Sequence, residues 1–154
     1  MRGPFVMRAA RAPLHHAGSA GAVPLPQKTG GGTSVRFAGY AALFDRVDRG
    51  GDVVRRGAFA RAVRKGAVPL LLEHRPEARI GRVESLSEDR RGLRVIARVE
   101  RGAVREGLGL SFGYRVRASR GAAPRELLDL ELVEVSLVRT PMQPGARVHR
   151  VAGG

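Results

Sequence analysis

Apolar and polar residues alternate over short stretches along most of this chain, and a period of two residues predicts β-strands. Residues 93–99 show the pattern most clearly, because every second position is apolar while Arg94 and Arg98 occupy the other phase. Residues 35–44 are largely apolar on both phases, with Arg36 as the charged exception, which predicts a strand buried on two sides. Further strands are predicted at residues 68–74, 79–86, 110–117 and 127–138, the last of them long enough to bend or to contain a bulge.

Turn-forming residues separate these segments and leave room for little helix. Residues 58–64 have the spacing of a short helix closed by Gly66, and residues 104–107 predict one helical turn. About seven short strands with one clear helix predict a β-rich α+β domain, arranged as a barrel or a sandwich. Turns and strand ends are predicted at residues 45–51, 75–76, 88–92, 141 and 144.

The first 34 residues differ in composition from the rest of the chain. They are rich in glycine and proline and sustain no hydrophobic period. They contain no acidic residue, and the first acidic residue of the chain is Asp45. Such a segment buries too little apolar surface to offset its ordering entropy. We therefore predict a disordered basic arm at 1–34, a folded domain at 35–148, and a flexible tail at 149–154. An organelle transit peptide is the alternative for the arm, although nothing else in the sequence supports it.

Composition narrows the functional classes. The 154 residues favour one domain, and the absence of cysteine excludes disulfides, a thiolate nucleophile and cysteine-based zinc sites. The net charge is +14, and because Lys28 and Lys65 are the only lysines, arginine supplies 26 of the 28 cations. This charge favours a polyanionic partner, either nucleic acid or an acidic protein surface. Aromatic residues make up only 5%, so base-stacking platforms are sparse. No apolar stretch is long enough for a membrane span, so the default expectation is a soluble cytoplasmic protein.

Three polar residues fall in unexpected places. His74 continues the apolar phase of the strand predicted at 68–74, and Glu134 continues an apolar series at positions 128, 130 and 132. Ser111 lies between Gly109 and Gly113, where missing side chains leave room for a substrate chain. Each has an ordinary explanation: a satisfied core histidine, a structural ion pair with an arginine, and a chance placement of one of seven serines. Together they suggest a nucleophile, a base and an orienting acid, which defines a serine-hydrolase hypothesis.

Several ordered segments resemble the prohead proteases, the capsid-maturation serine proteases of tailed phages. This family is related to herpesvirus assemblin and also occurs in gene transfer agents. The resemblance covers roughly residues 35–148 and includes PLLLEH, GLSFGY and EVSLV; each piece is short, and the ordered set is specific. The matching segments are residues 37–41, 48–54, 57–59, 69–74, 80–82, 91–93, 109–114 and 134–138, with Phe44 and Pro141.

The resemblance implies a role for each matching polar residue. Ser111 would be the nucleophile, His74 the general base and Glu134 the third member of the triad. The implied fold is a single closed or partly closed β-barrel flanked by short helices, as in assemblin. Backbone N–H groups near Ser111 are the default oxyanion donors, with Gly113, Arg82 and Arg139 as supporting candidates. No metal and no cofactor are implied.

The resemblance also implies partners and a location. The expected substrates are the major capsid protein with its scaffolding domain and the protease itself, whose exposed ends are candidate self-cleavage regions. The portal and a second copy are further candidate partners, the location is inside the immature capsid in the cytoplasm, no membrane is involved, and nucleic-acid contact is incidental. A non-catalytic assembly factor with the same fold and a small basic nucleic-acid-binding barrel remain as alternatives.

Two features depart from the family pattern. The segment at 100–109, beside the expected substrate groove, is shorter than the helical segment that relatives usually carry before the nucleophile strand. Met142-Gln143 replaces the usual asparagine after the proline near the last motif.

Overall fold

The computed structural model describes residues 5–6 and 34–153, and this part of the chain is dominated by β-structure. Its elements are β1 (Phe5–Val6), β2 (Val35–Leu43), β3 (Asp52–Val54), α1 (Ala60–Lys65), β4 (Pro69–Leu72), β5 (Arg75–Glu88), β6 (Gly92–Val99), β7 (Gly109–Arg120), β8 (Arg125–Val138) and β9 (Val148–Ala152). The predicted β-rich class is confirmed, and the single helix is closed by Gly66 at φ 92° as expected.

All described strands belong to one sheet, and the sheet forms an open path. The order is β1-β7-β8-β4-β5-β6-β2-β9, with β3 pairing β8 off this path. The segment before β9 approaches β7, because Gly109 forms an isolated bridge with Arg147 and the Leu110 N–H donates to the Ala146 carbonyl at 2.8 Å. These contacts do not turn the path into a closed ring of paired strands, so the expected closed barrel is not confirmed.

The core lies on the inner face of this curved sheet. In β6 the predicted alternation is confirmed, since Leu93, Val95, Ala97 and Val99 are buried and the intervening residues are partly exposed. A cluster of aromatic rings fills the space beneath α1, where the ring of Phe59 packs edge-on against that of Phe112 at 5.2 Å. Burial of these large side chains supplies the main favourable term for folding.

The hairpin around residue 74 differs from its prediction. The strand predicted at 68–74 ends at Leu72, and the chain reverses through Glu73 and His74 instead of at Arg75-Pro76. Pro76 lies within β5, which starts one residue earlier and runs to Glu88. The sequence reading placed the break at the proline, whereas the register pairs Leu72 with Arg75 across a two-residue turn.

Four further predictions were wrong in detail. Residues 104–107 form a turn at 106–107 and no helix, and the strand at Asp52–Val54 was missed because it is only three residues long. Leu127 is buried while Leu128 is partly exposed, because the β7–β8 register shifts beside Asp129. The expected flexible tail is largely β9, whose pairing with β2 orders residues up to Ala152.

The arm predicted at 1–34 lies outside the described residues except for β1 and Ser34, so its disorder stays a prediction. In the described part, no helix is long and apolar enough to cross a membrane.

Gln143, one of the two residues that depart from the family pattern, has a structural role. Its buried amide accepts from the Leu43 N–H at 2.7 Å and donates to the Leu43 carbonyl at 2.8 Å, which fastens the loop after β8 to the end of β2.

Candidate active site

The turn between β4 and β5 holds His74 in an uncommon backbone conformation. Glu73 and His74 have φ values of 49° and 61°, a region that residues other than glycine seldom occupy. The Glu73 N–H donates to the Leu137 carbonyl at 3.0 Å, and the Glu73 carboxylate accepts from the Arg139 N–H at 3.2 Å. The surrounding chain therefore imposes the turn and directs the imidazole, which is the setting in which local strain persists at functional sites.

His74 and Glu134 form a buried pair. The His74 Nδ1 lies 2.9 Å from both carboxylate oxygens of Glu134, and the two side chains are 1% and 2% exposed. A carboxylate removed from water requires hydrogen-bond donors. The two residues are 60 positions apart in sequence, and the parallel pairing of β4 with β8 brings them together.

Ser136 joins the same network. Its Oγ accepts from the His74 backbone N–H at 3.0 Å and donates to the Glu134 Oε1 at 2.7 Å. Ser136 is fully buried, and its hydroxyl satisfies two buried polar groups, the His74 N–H and the Glu134 Oε1. The hydroxyl thus links the backbone of His74 to the carboxylate of Glu134.

The second imidazole nitrogen has no hydrogen-bond partner. Because a carboxylate can only accept, the contact with Glu134 places a ring hydrogen on Nδ1, and in the neutral imidazole this tautomer has its lone pair on Nε2. The Nε2 atom is buried, and no atom of the described residues forms a hydrogen bond with it. An orphaned buried acceptor is rare in folded proteins. Here it is an imidazole oriented for accepting a proton.

Ser111 lies on the strand next to this network. It is 4% exposed and stands directly opposite Ser136 in the antiparallel β7–β8 register, while Gly113 stands opposite Glu134. Residues directly opposite in such a pair project to the same face of the sheet. Ser111 and the acid therefore share one face, although the orphaned Nε2 shows that Ser111 and His74 are not hydrogen-bonded. A cavity of ≈ 10 Å³ borders Ser111, about the volume of one water.

The two candidate arginines lie in different places. Arg139 follows β8 directly, is half-buried, and sits beside the His74 turn through its backbone contact with Glu73. Arg82 is exposed on β5 and pairs with Pro69, at the end of the β4–β5 hairpin opposite the turn. The structure brings Arg139 to the site and leaves Arg82 away from it.

The sequence reading missed the contribution of Ser136. The residue was noted within the motif EVSLV, but no role was given to it. Its signal was available, since Ser136 lies two positions after Glu134 and repeats a polar residue on the buried phase of the strand. The sequence did not show that a backbone N–H from another strand would need its hydroxyl.

A buried acid, an imidazole with a free nitrogen, and a serine on the neighbouring strand together define the class of site that serine hydrolases use. Comparison with known proteins agrees. The family model of the Caudovirus prohead serine protease matches residues 23–153. The chain therefore belongs to the Caudovirus prohead serine protease family.

Two individual proteins illustrate the relationship. The prohead protease of Enterobacteria phage HK97 is 37% identical over 70 residues, which are 44% of this chain and 31% of that protein. The KSHV protease, solved in complex with a hexapeptide phosphonate inhibitor, aligns with a TM-score of 0.51 and 14% identity over 79% of this chain and 65% of that one. The chain thus spans about a third of the HK97 protein, and the KSHV comparison supports the fold alone.

Proposed function

We propose that this chain is a serine endopeptidase that processes capsid and scaffold proteins, and itself, during maturation of a phage or phage-like particle. Ser111 is the nucleophile, His74 the general base and Glu134 the orienting acid. The observation that carries the proposal is the buried His74–Glu134 pair with an unpartnered Nε2 beside the strand of Ser111. Membership of the prohead protease family supports the same assignment.

The chemistry follows from the protonation of the imidazole. The Ser111 Oγ attacks the scissile carbonyl carbon while its proton passes to the His74 Nε2, and the carbonyl π electrons move onto the oxygen. Collapse of this intermediate breaks the C–N bond, and the imidazolium returns the proton to the leaving amine. Water then attacks the acyl-enzyme carbonyl by the same steps, giving its proton to His74. Collapse of this second intermediate releases the carboxylic acid product and restores Ser111. Glu134 holds the reactive tautomer and stabilises the imidazolium in both halves.

The strand geometry suggests oxyanion donors and a path for substrate. The Leu110 N–H bonds outward, away from β8, so the alternation of β7 directs the Phe112 N–H to the same outer edge. We assign this N–H, next to the nucleophile, as the first oxyanion donor, with Arg139 as a supporting group. The same alternation directs the Gly113 N–H towards β8, so Gly113 is not assigned as a donor. The short strand β1 already pairs with Tyr114 and Arg115 of β7. A segment of this chain therefore lies along the nucleophile strand, which supports self-processing by β-strand addition.

The proposed partners follow from the family and not from any contact in the structure. They are the major capsid protein with its scaffolding domain, the portal, and a second copy of this chain. The proposed location is the interior of the immature capsid.

A serine-directed fluorophosphonate tests the catalytic assignment. We expect the purified chain to gain one probe mass on the peptide that contains Ser111. Ser111→Ala should remove the label, whereas Ser119→Ala, at an exposed position of the same strand, should leave it unchanged. Labelling that persists in Ser111→Ala would refute the assignment of Ser111 as the nucleophile.

Co-expression with the cognate capsid protein tests the substrate. We expect the capsid protein and the protease to be shortened in the presence of the wild-type chain and to keep their full masses with Ser111→Ala. Normal capsid assembly with identical masses in both cultures would instead favour a non-catalytic assembly factor.

A further inference from the structure

The outer face of strands β5, β6, β2 and β9 carries a concentration of arginines, which we call the arginine face. Arg82 pairs with Arg98 across β5 and β6, and Arg98 pairs with Arg36 across β6 and β2. Since neighbouring strands are about 4.8 Å apart, the side chains of Arg82, Arg98 and Arg36 leave the sheet from adjacent positions in one row. Arg94 and Arg150 lie on the same face in other rows of β6 and β9, opposite Tyr40 and Ala38 respectively.

Acidic residues balance this face poorly. Glu84 accepts from Arg36 at 2.8 Å and from Arg98 at 3.2 Å, so one carboxylate serves two arginines. The hydrogen bond from Arg36 is the main cause that lowers the pKa of Glu84. On β8, Glu126 and Glu131 likewise each pair with two arginines, and Asp129 pairs with Arg61. On the arginine face, five arginines lie near two carboxylates, Glu84 and Asp89, so this face carries a net positive charge.

The row of like charges has an energetic consequence. Like charges directly opposite each other on a sheet are destabilising, and Glu84 relieves only part of that repulsion. An anion that binds this face reduces the repulsion between the arginines and also forms ion pairs with them. The planar guanidinium can donate two parallel hydrogen bonds to one carboxylate. Arg36 and Arg98 already donate to the carboxylate of Glu84, so arginines of this face do bind carboxylates.

The other residues of the face favour polypeptide over nucleic acid. Ile96 is half-buried at its centre and offers an apolar contact beside the arginines. The aromatic ring on this face, that of Tyr40, is already occupied, because Arg91 lies over it at 5.4 Å and His149 packs against it at 5.8 Å. Its hydroxyl also donates a hydrogen bond to Asp89. No ring on the described part of the face is free for stacking on bases.

We propose that the arginine face binds an acidic segment of a partner polypeptide. The segment lies across the strands, with carboxylates on the arginines and an apolar side chain on Ile96. This surface is separate from the His74–Glu134 network, so docking and cleavage are independent properties of the chain.

Binding of a labelled peptide tests the proposal. The full-length Ser111→Ala chain, in which the proposed nucleophile is absent, is titrated into a fluorescent 12-residue peptide of glutamates around one leucine. The test variant replaces Arg82, Arg94 and Arg150 by glutamine and leaves the Glu84 pairs in place. The matched control replaces Arg64, Lys65 and Arg105, which are exposed elsewhere, and so loses the same charge.

The expected result is a loss of affinity of about tenfold in the test variant and less than about twofold in the control. Equal losses in both variants would show a general charge effect and overturn the docking face. A single-stranded oligonucleotide that binds more tightly than the peptide, and that loses affinity in the test variant, would assign the face to nucleic acid instead. Because cleavage is not measured, failure of this proposal leaves the proposed protease function unaffected, and the reverse also holds.

Discussion

At the scale of single residues, the site depends on hydrogen bonds to groups that are shut off from water. Glu134 and Ser136 are polar side chains on the buried phase of a strand, where each would cost free energy without a partner. Each satisfies the other, and both hold His74. What is left unsatisfied is the His74 Nε2, the atom that the proposed reaction uses.

Replacement of Ser136 by alanine tests its role as a positioning residue. The change leaves the buried His74 N–H without an acceptor and removes one donor from Glu134, so we expect a loss of about 1–3 kcal/mol in the free energy of unfolding. Misplacement of the imidazole should slow the maximal rate of fluorophosphonate labelling about 10- to 100-fold while the half-saturating probe concentration stays unchanged.

Ser119→Ala is the control for this measurement, because Ser119 is exposed on β7. A labelling rate that stays at the wild-type value in a destabilised Ser136→Ala chain would give Ser136 a structural role only.

At the scale of elements, close strand packing positions the turn that contains His74. β5 begins directly after His74 and runs along β6, and at Gly81 the two backbones approach so closely that a Cβ would lie 1.9 Å from the Arg98 carbonyl oxygen. β7 and β8 form the longest pair and bring Ser111 opposite Ser136. The site is therefore held by two strand pairs and one hairpin turn.

Gly81→Ala tests the β5–β6 contact. The added methyl must push the Arg98 carbonyl out of the ladder, and we expect a loss of about 3 kcal/mol of unfolding free energy in chemical denaturation. Gly153→Ala is the matched control, since nothing lies within 4 Å of its Cβ position. Equal stability of the two variants would contradict the observed packing of β5 on β6.

Glu126 makes the stability of the β7–β8 strand pair depend on pH. Hydrogen bonds from Arg120 and Arg55 lower the pKa of Glu126 to about 2 from its ordinary value of 4.5. A lowered pKa in the folded state means that the stabilisation is complete above pH 4.5 and is lost as the pH falls towards 2. We therefore expect Glu126→Gln to reduce the slope of the melting temperature against pH in this window.

Arg64→Gln, in the last turn of α1, is the control for this titration. If the melting temperature of Glu126→Gln falls with pH as steeply as that of the wild type, Glu126 is not the source of the pH dependence.

At the scale of the whole molecule, charge and strand order divide the surface into two sides. On the β8 side, Glu126 pairs with Arg55 and Arg120, and on the side formed by β5, β6, β2 and β9, Glu84 pairs with Arg36 and Arg98 of the arginine face. β9 is the end strand of the second side. It pairs with β2, and the chain just before it contacts β7, so this C-terminal segment connects the two ends of the strand path.

Truncation tests this connection. A chain that stops at Val148 loses most of β9 and the partly buried Val151, so we expect a decrease of about 2 kcal/mol in unfolding free energy. A chain that stops at Ala152 keeps the pairing and should match the full-length protein. Wild-type melting behaviour of the shorter chain would restore the original expectation of a flexible tail.

Local sequence patterns determined most of the strands, the helix and its glycine end, and the three polar residues of the candidate site. These features depend on neighbours one to four positions apart, where alternation, spacing and turn residues act directly. Only the tertiary structure decided that His74 lies in a turn at positive φ, that it meets Glu134 across 60 residues, and that Ser136 completes the network. It also decided that the end of the chain forms β9 and that arginines scattered in sequence share one face. The physical reason is that strand pairing and register are long-range contacts, whose partners a local pattern does not specify.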